Sequence, residues 1–329
     1  MVFDVIIGNP PYQRDDGGGK RDGSSSGSST PVYNKFVELA RLLNPHFLIM
    51  IIPAKWYSGG RNLEEFRESM LTDRHIKTLV DIEDSRECFE NVDIAGGVCY
   101  FLWDKSYASI YTNVISLKEG VKTESKRVLD ELKFFIRDSK TAAIVKKVMN
   151  KEEDLLEDRV LGSRPFGIRS NEIGEPNAFE GCIRLYGSTG ITYISKDRVK
   201  NNKSIINDWK VVVSKAANER AGQTYKIGKR RVLSKALILP PGTVCTESYL
   251  VLDTFNSPRE AESFLSYVKT NFFRFLLSTV LMTQNIAKDK FCFIPIQKYN
   301  EEWTDNKLYE KYNLAKDEIN YINSKIREL

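Results

Sequence analysis

FDVIIGNPPYQ, residues 3–13, is an apolar run that stops on a glycine, an asparagine, two prolines and a tyrosine. Val5, Ile6 and Ile7 follow one another with no polar face between them, so the segment reads as a short buried strand of a parallel sheet. Pro10 and Pro11 cannot donate to a ladder and fix their own φ, so the chain has to leave the sheet through a rigid turn. Ligands of open α/β folds bind at such carboxyl ends, which makes Asn9, Pro10, Pro11 and Tyr12 the first residues to weigh for chemistry.

The same texture continues downstream. In PVYNKFVELARLLN (31–44), Val32, Phe36, Leu39, Ala40 and Leu43 recur at helical spacing behind Pro31 as a start signal. HFLIMIIPAKW (46–56) is a second strand ended by Pro53, LEEFRESMLTD (63–73) a helix and IKTLVDI (76–82) a third strand. GGVCYFLWD (96–104) is a fourth, entered through a turn at Gly96 and Gly97. Four strands separated by helices or loops predict half of a doubly wound, parallel α/β sheet over residues 1–127. Residues 128–159 read as a charged helical connector. From 160 on, short β-like pieces appear among Gly, Asn and Ser: GCIRLYG, ITYIS, WKVVVS, RRVLSKALILPPGT and ESYLVLDTF. Two helices follow, REAESFLSYVKTNFFRFLLSTV and KLYEKYNLAKDEINYINSKI, so residues 160–329 are expected to form an α+β domain.

With 329 residues and 41% apolar side chains, the chain can build a core in each of two domains. No stretch approaches ~18 consecutive apolar residues and no signal-peptide pattern opens the chain, so no membrane partner and a cytoplasmic location are expected. The five cysteines are scattered and only two histidines exist, His46 and His75, which supports neither a disulfide framework nor a metal site. Net charge is +5, unevenly placed: residues 1–159 hold 23 basic and 26 acidic side chains, residues 160–329 hold 26 and 18. Residues 196–235 alone carry twelve Lys and Arg against Asp197, Asp208 and Glu219. Such a concentration suits a phosphate backbone, through Coulomb attraction and counterion release, as well as it suits a solvated basic face. The candidates for DNA contact are Lys215, Arg220, Lys229, Arg230 and Arg231, and, after the apolar helix FFRFLLSTV, Gln284, Asn285, Lys288 and Lys290.

Asn9-Pro10-Pro11-Tyr12 fits a particular chemistry. An adenine amino group is a poor nucleophile because its lone pair is delocalised into the ring. Two acceptors aimed at its hydrogens, the side-chain oxygen of Asn9 and the carbonyl of Pro10, would localise that lone pair as charge develops. Tyr12 offers a face on which an extruded base can stack. FDVIIGNPPYQ resembles the catalytic motif of N6-adenine DNA methyltransferases. The stretches VYNKFVELARLLNPHFLIMIIPAKWYSGG and IKTLVDIEDSRECFENVDIAGGVCYFLWD, with ESYLVLDTF…FFRFLL…TQNIAKDKFCFIP near the end, resemble the adenine methyltransferases of type IIG-like restriction–modification systems. The resemblance implies a partial Rossmann-like methyltransferase sheet followed by a DNA target-recognition domain. It also implies direct methyl transfer from S-adenosylmethionine to a flipped adenine in double-stranded DNA, with Asn9, Pro10 and Tyr12 catalytic or base-binding.

That family's cofactor loop, of the F-x-G-x-G kind, is expected upstream of the NPPY turn, where eight residues stand. The expectation is a C-terminal portion whose cofactor-carrying half is a separate or deleted N-terminal segment. Within the chain only Leu185-Tyr186-Gly187-Ser188-Thr189-Gly190 approximates such a loop; it reads more simply as a β-turn glycine pair. Lys55 and Trp56, at the end of the second strand, are candidates for the base pocket, with a structural Trp cap as the competing reading. The glycine- and serine-rich stretch 15–30 reads as a surface loop, or as a lid that puts Lys20 and Arg21 on phosphate. Two other readings stay open: methylation of a protein glutamine amide, which also uses an NPPY turn, and a non-catalytic DNA-binding or specificity fragment.

Overall fold

The computed structural model describes residues 3–15, 29–60, 62–90, 92–216, 229–281 and 285–327, and divides the chain into two compact units, Met1–Ser139 and Lys140–Leu329. The fold is mixed α/β. In the first unit, β1 (Val5–Gly8) leads through the NPPY turn into a small antiparallel ribbon, β2 (Gln13–Asp15) with β3 (Ser29–Pro31). There follow α1 (Tyr33–Leu42), β4 (Phe47–Pro53), α2 (Glu64–Leu71), β5 (Ile76–Ile82), β6 (Val98–Asp104), β7 (Thr112–Lys118) and β8 (Val121–Arg127). Six of these strands form one sheet in the order β1-β4-β6-β5-β7-β8.

All four expected strands are present, but the sheet is mixed rather than parallel. β1 pairs β4 in parallel, with Gly8 opposite Met50, and β5 pairs β7 in parallel, whereas β6 runs antiparallel to both β4 and β5. Apolarity could not reveal this, because a strand sandwiched within a sheet is apolar whichever way it runs. The turn into β6 is tight: Gly97 has φ +74°, and a Cβ there would stand 2.2 Å from the carbonyl oxygen of Ile82 and 2.5 Å from that of Glu83.

The helix after Pro31 also forms, with a different face inward. Of the five spaced apolar residues only Ala40 is buried; α1 packs through Tyr33, Val37 and Ala40, leaving Phe36, Leu43 and Leu39 (56% exposed) outward beside Leu42 (81%). Both stripes have helical spacing. The stripe of Tyr33, Val37 and Ala40 joins the core of Leu48, Met50, Ile52, Phe66, Phe101 and Trp103, with the Tyr33 ring edge-to-face on Phe66.

Residues 128–138 form no helix, against the expected connector. Phe134, Phe135 and Ile136 are buried in succession, which one helical face cannot achieve, and the Arg127 guanidinium donates to the carbonyls of Ile136 (2.8 Å) and Arg137 (3.1 Å). Helix begins only at α3 (Ser139–Met149).

The second unit contains two three-stranded sheets. One has the order β10-β9-β13, from β9 (Cys182–Gly187), β10 (Gly190–Ser195) and β13 (Thr243–Cys245); the other has the order β12-β11-β14, from β11 (Trp209–Ser214), β12 (Ala236–Leu239) and β14 (Tyr249–Phe255). The two expected helices are four: α4 (Pro258–Lys269), α5 (Asn271–Ser278), α6 (Asp305–Lys311) and α7 (Lys316–Lys325). Thr270 leaves the helical region and its hydroxyl accepts from the Phe273 amide, capping α5, while Asn313 adopts φ +48° between α6 and α7. No helix among the described residues is long and apolar enough to cross a membrane.

Gly97→Ala drives a methyl group into two backbone carbonyls and strains a positive φ at once. It is expected to destabilise the first unit by about 2 kcal/mol or more, read as a lowered denaturation midpoint.

Candidate active site

The parallel register of β1 on β4 brings two chain segments out at the same end of the sheet. Beyond Gly8 runs Asn9-Pro10-Pro11-Tyr12, and beyond Pro53 a 3₁₀ turn, Ala54–Tyr57. Asn9 and Pro11 are exposed, Pro10 is buried and Tyr12 is half-buried. Among the described residues the Asn9 side chain makes no hydrogen bond and the Pro10 carbonyl accepts none. Among the described residues both acceptors are thus uncommitted. The turn itself is held on its far side, where the Val32 amide donates to the Tyr12 carbonyl at 3.2 Å.

Tyr12 packs against a small apolar cluster built on Val80, Ile82 and Val98, which Ile51, Phe89, Ile94, Ile115 and Leu117 also flank. Its hydroxyl is buried with no partner among the described residues. Burial, with smaller contributions from Cys88 and Cys99, pushes the phenol up to about 12, so it stays protonated at neutral pH. Phe89 and Ile94 pack on the same cluster as Tyr12 although nothing in their sequence context points there: both belong to a stretch between β5 and β6.

The second segment is braced from below. Trp56 and Tyr57 are fully buried, their rings edge-to-face with each other and Trp56 also edge-to-face with Phe66. Trp56 Nε1 donates to Cys99 Sγ at 3.4 Å. A base cannot reach the Trp56 ring, so Trp56 is the structural cap rather than a pocket wall; Lys55, half-buried, is the member of the pair that meets solvent. Arg67 donates to the Trp56 carbonyl (2.6 Å) and the Gly59 carbonyl (2.7 Å), and the Phe135 amide donates to the Tyr57 carbonyl (3.1 Å). Arg137 ties the remaining pieces. Its Nε lies 3.0 Å from Asp81 Oδ1 at the end of β5, its guanidinium lies 5.2 Å from the Tyr57 ring centroid, and Nη2 donates to the Gly96 carbonyl. Burial pushes the Asp81 carboxyl up against the pull of Arg137, and burial pushes the Cys99 thiol up to about 12.

The only sequence approximation to a cofactor loop does not fit one. Gly187 and Gly190 face each other across the β9–β10 hairpin, joined by Ser188 and Thr189, and the chain continues as a strand rather than opening a helix whose amides could face a ligand.

Of the DNA-contact candidates in the second unit, Lys215 and Lys288 line one cleft of about 380 Å³ with Glu157, Ser163 and Asp289. Asn285 is exposed and bridges to Ala216; Lys229, Arg230 and Arg231 are half-buried, with the Arg230 backbone paired to Lys325 and Arg327. Lys290 is buried beside Asp289 at 2.7 Å and is no surface cation. Lys210 likewise leaves the basic run: fully buried, it donates to the carbonyls of Ile205 (3.1 Å), Ile206 (3.0 Å) and Asp208 (2.6 Å), and burial pushes its ammonium down to about 8. Lys20, Arg21, Arg220 and Gln284 lie outside the described residues.

Residues 1–89 match the family model of the Eco57I restriction-modification methylase. The matched span includes FDVIIGNPPYQ, so the resemblance to restriction–modification methylases is borne out. Over 134 residues the chain is 40% identical to an uncharacterized adenine-specific methylase of Mycoplasma pneumoniae, an alignment covering 39% of this chain and 31% of that protein. The chain thus spans about a third of the length of this curated relative. Among solved structures, the type IIG restriction endonuclease BpuSI overlaps 98% of this chain and 54% of its own at 11% identity and a TM-score of 0.35. The type IIL restriction-modification enzyme MmeI, in complex with DNA, overlaps 88% of this chain and 45% of its own at 7% identity and a TM-score of 0.44.

Arg137→Met leaves the Asp81 carboxylate buried without its cation and is expected to cost about 3 kcal/mol at neutral pH. With its carboxyl pKa raised above the ordinary 3.8, folded Asp81 then binds a proton that the unfolded chain has released, so the deficit shrinks as pH falls toward that value. Thermal unfolding of wild type and variant across pH 4–8 measures both effects.

Proposed function

We propose that this chain carries the adenine side of a site-specific DNA adenine-N6 methyltransferase of a restriction–modification system. The observation that carries this reading is the pair of uncommitted acceptors, the exposed Asn9 side chain and the Pro10 carbonyl, held at the carboxyl end of β1 by a proline-fixed backbone. In this reading Asn9 and Pro10 accept the two hydrogens of an adenine amino group, and Pro11 keeps the second acceptor from turning away. The half-exposed Tyr12 ring gives the extruded base an aromatic surface. S-adenosylmethionine supplies the methyl group. The match over residues 1–89 and the adenine-specific methylase relative support the assignment.

The first unit is read as half of a Rossmann-like methyltransferase sheet, and the second as a target-recognition domain whose exposed cations contact DNA phosphate. Lys215 and Lys288, in one cleft, are the best placed of these. A cofactor-carrying half, as a separate chain or another segment, is the proposed partner of the first unit. Support comes from the sheet edge: β1 is paired on one side only, carries no charge, and exposes Val5 (47%) and Ile7 (72%) next to the outward Phe47 of β4. β8, the opposite edge, carries Lys122, Glu124 and Lys126, the residues that ordinarily keep an edge from pairing.

Asn9→Ala, assayed with the cofactor-carrying half supplied, is expected to lower methyl transfer to duplex DNA at least a hundredfold and to leave DNA affinity within about threefold. Retained methylation would remove Asn9 from the chemistry, and equal transfer to a protein glutamine would remove DNA as the substrate.

A further inference from the structure

Within the 3₁₀ turn after β4, Lys55 is set apart from its neighbours. Ala54, Trp56 and Tyr57 are fully buried and Ser58 nearly so, whereas Lys55 reaches solvent, and among the described residues its ammonium has no hydrogen bond or ion pair. Its backbone is fixed on every side. The Ala54 amide donates to the Gly97 carbonyl (3.0 Å), the Gly59 amide donates to the Lys55 carbonyl (2.9 Å), and Arg67 grips the Trp56 carbonyl. Other lysines of this unit hold a carboxylate, as Lys77 does with Asp104 and Lys118 with Glu83. Lys55 is instead an unpaired cation on a rigid mount.

Its location narrows what it could meet. Gly8 stands opposite Met50 in the parallel pair, so the Asn9–Tyr12 turn and the Ala54–Tyr57 turn both emerge from the same end of the same two strands. A nucleotide whose base enters at Asn9 and Tyr12 brings its own phosphates with it, and a lysine recognises phosphate as a point charge that needs no fixed geometry. We infer that Lys55 binds the backbone phosphate of the extruded nucleotide, holding the sugar–phosphate end while Asn9 and Tyr12 hold the base. The inference rests on the function proposed above, and assigns Lys55 to the backbone rather than to the base edge. The rigid backbone matters because it keeps the ammonium within one side-chain length of the turn that receives the base, while the flexible stem adapts to the phosphate.

The probe is a DNA duplex in which one adenine faces an abasic site, so that extrusion costs little. Binding is measured from about 50 to 200 mM salt for the wild-type chain, Lys55→Met, Lys55→Arg and Asn9→Ala. Loss of one phosphate contact is expected to weaken binding of Lys55→Met about tenfold at the low-salt end and to make the salt slope shallower by about one. Lys55→Arg should stay within about threefold of wild type, and Lys55→Met should melt at the wild-type temperature, since its side chain stabilises nothing in the free chain. An unchanged slope in Lys55→Met overturns the inference while leaving the proposed function in place. A chain that binds no DNA overturns both, and a Lys55→Met deficit equal on a fully matched duplex overturns the assignment to the extruded nucleotide.

Discussion

The first unit depends on bringing one charge pair inside, Asp81 with Arg137 at 3.0 Å. Asp81, at the end of β5, could not stay ionised in that interior by itself, because a lone carboxylate taken out of water is far too costly to keep charged. Arg137 supplies the counter-charge, and its planar fork reaches beyond the carboxylate to the Gly96 carbonyl and the Tyr57 ring. One guanidinium thus joins the end of β5, the turn into β6 and the turn after β4. The reason residues 128–138 abandon a helix follows from the same arrangement: the strap has to place Phe134, Phe135 and Ile136 inward in sequence to deliver Arg137 where it is needed.

Much of this was legible in the sequence, and the failures have physical causes. Strand positions were readable because Val-Ile-Ile, Phe-Leu-Ile-Met-Ile-Ile and Val-Cys-Tyr-Phe-Leu are short apolar runs, rich in β-branched or aromatic side chains and bounded by turn residues. Strand direction was not, since β6 is flanked on both sides by strands running the other way and hydropathy has no arrow. For α1 the period was correct and the phase wrong: two stripes satisfy it, and the choice fell to tertiary packing, Tyr33 meeting Phe66, which periodicity does not weigh. The NPPY turn was readable as a rigid exit from β1, because tandem prolines cannot continue a ladder. Trp56 and Lys55, adjacent in sequence, could not be separated without seeing which side of the 3₁₀ turn lies on the core: Trp56 meets Phe66, and Lys55 reaches water.

Charge counting in the second unit failed in an instructive way. Twelve cations in forty residues suggested one continuous surface, yet Lys210 spends its ammonium on three carbonyl oxygens at the foot of β11. Lys290 is buried beside Asp289, and Arg198 pairs with Glu172 at 2.8 Å. A lysine with three acceptors and no carboxylate serves as a structural cap, and composition cannot distinguish it from one that waits for phosphate.

The two margins of the six-stranded sheet differ in kind. β8 ends the sheet with Lys122, Glu124 and Lys126 standing along it, so nothing can be laid beside it without burying charge. β1 ends it with valine, isoleucine and glycine. Among the described residues the sheet therefore has one edge closed by charge and one open to further pairing, so β1 is the margin at which another strand, from this chain or from another, can extend the sheet.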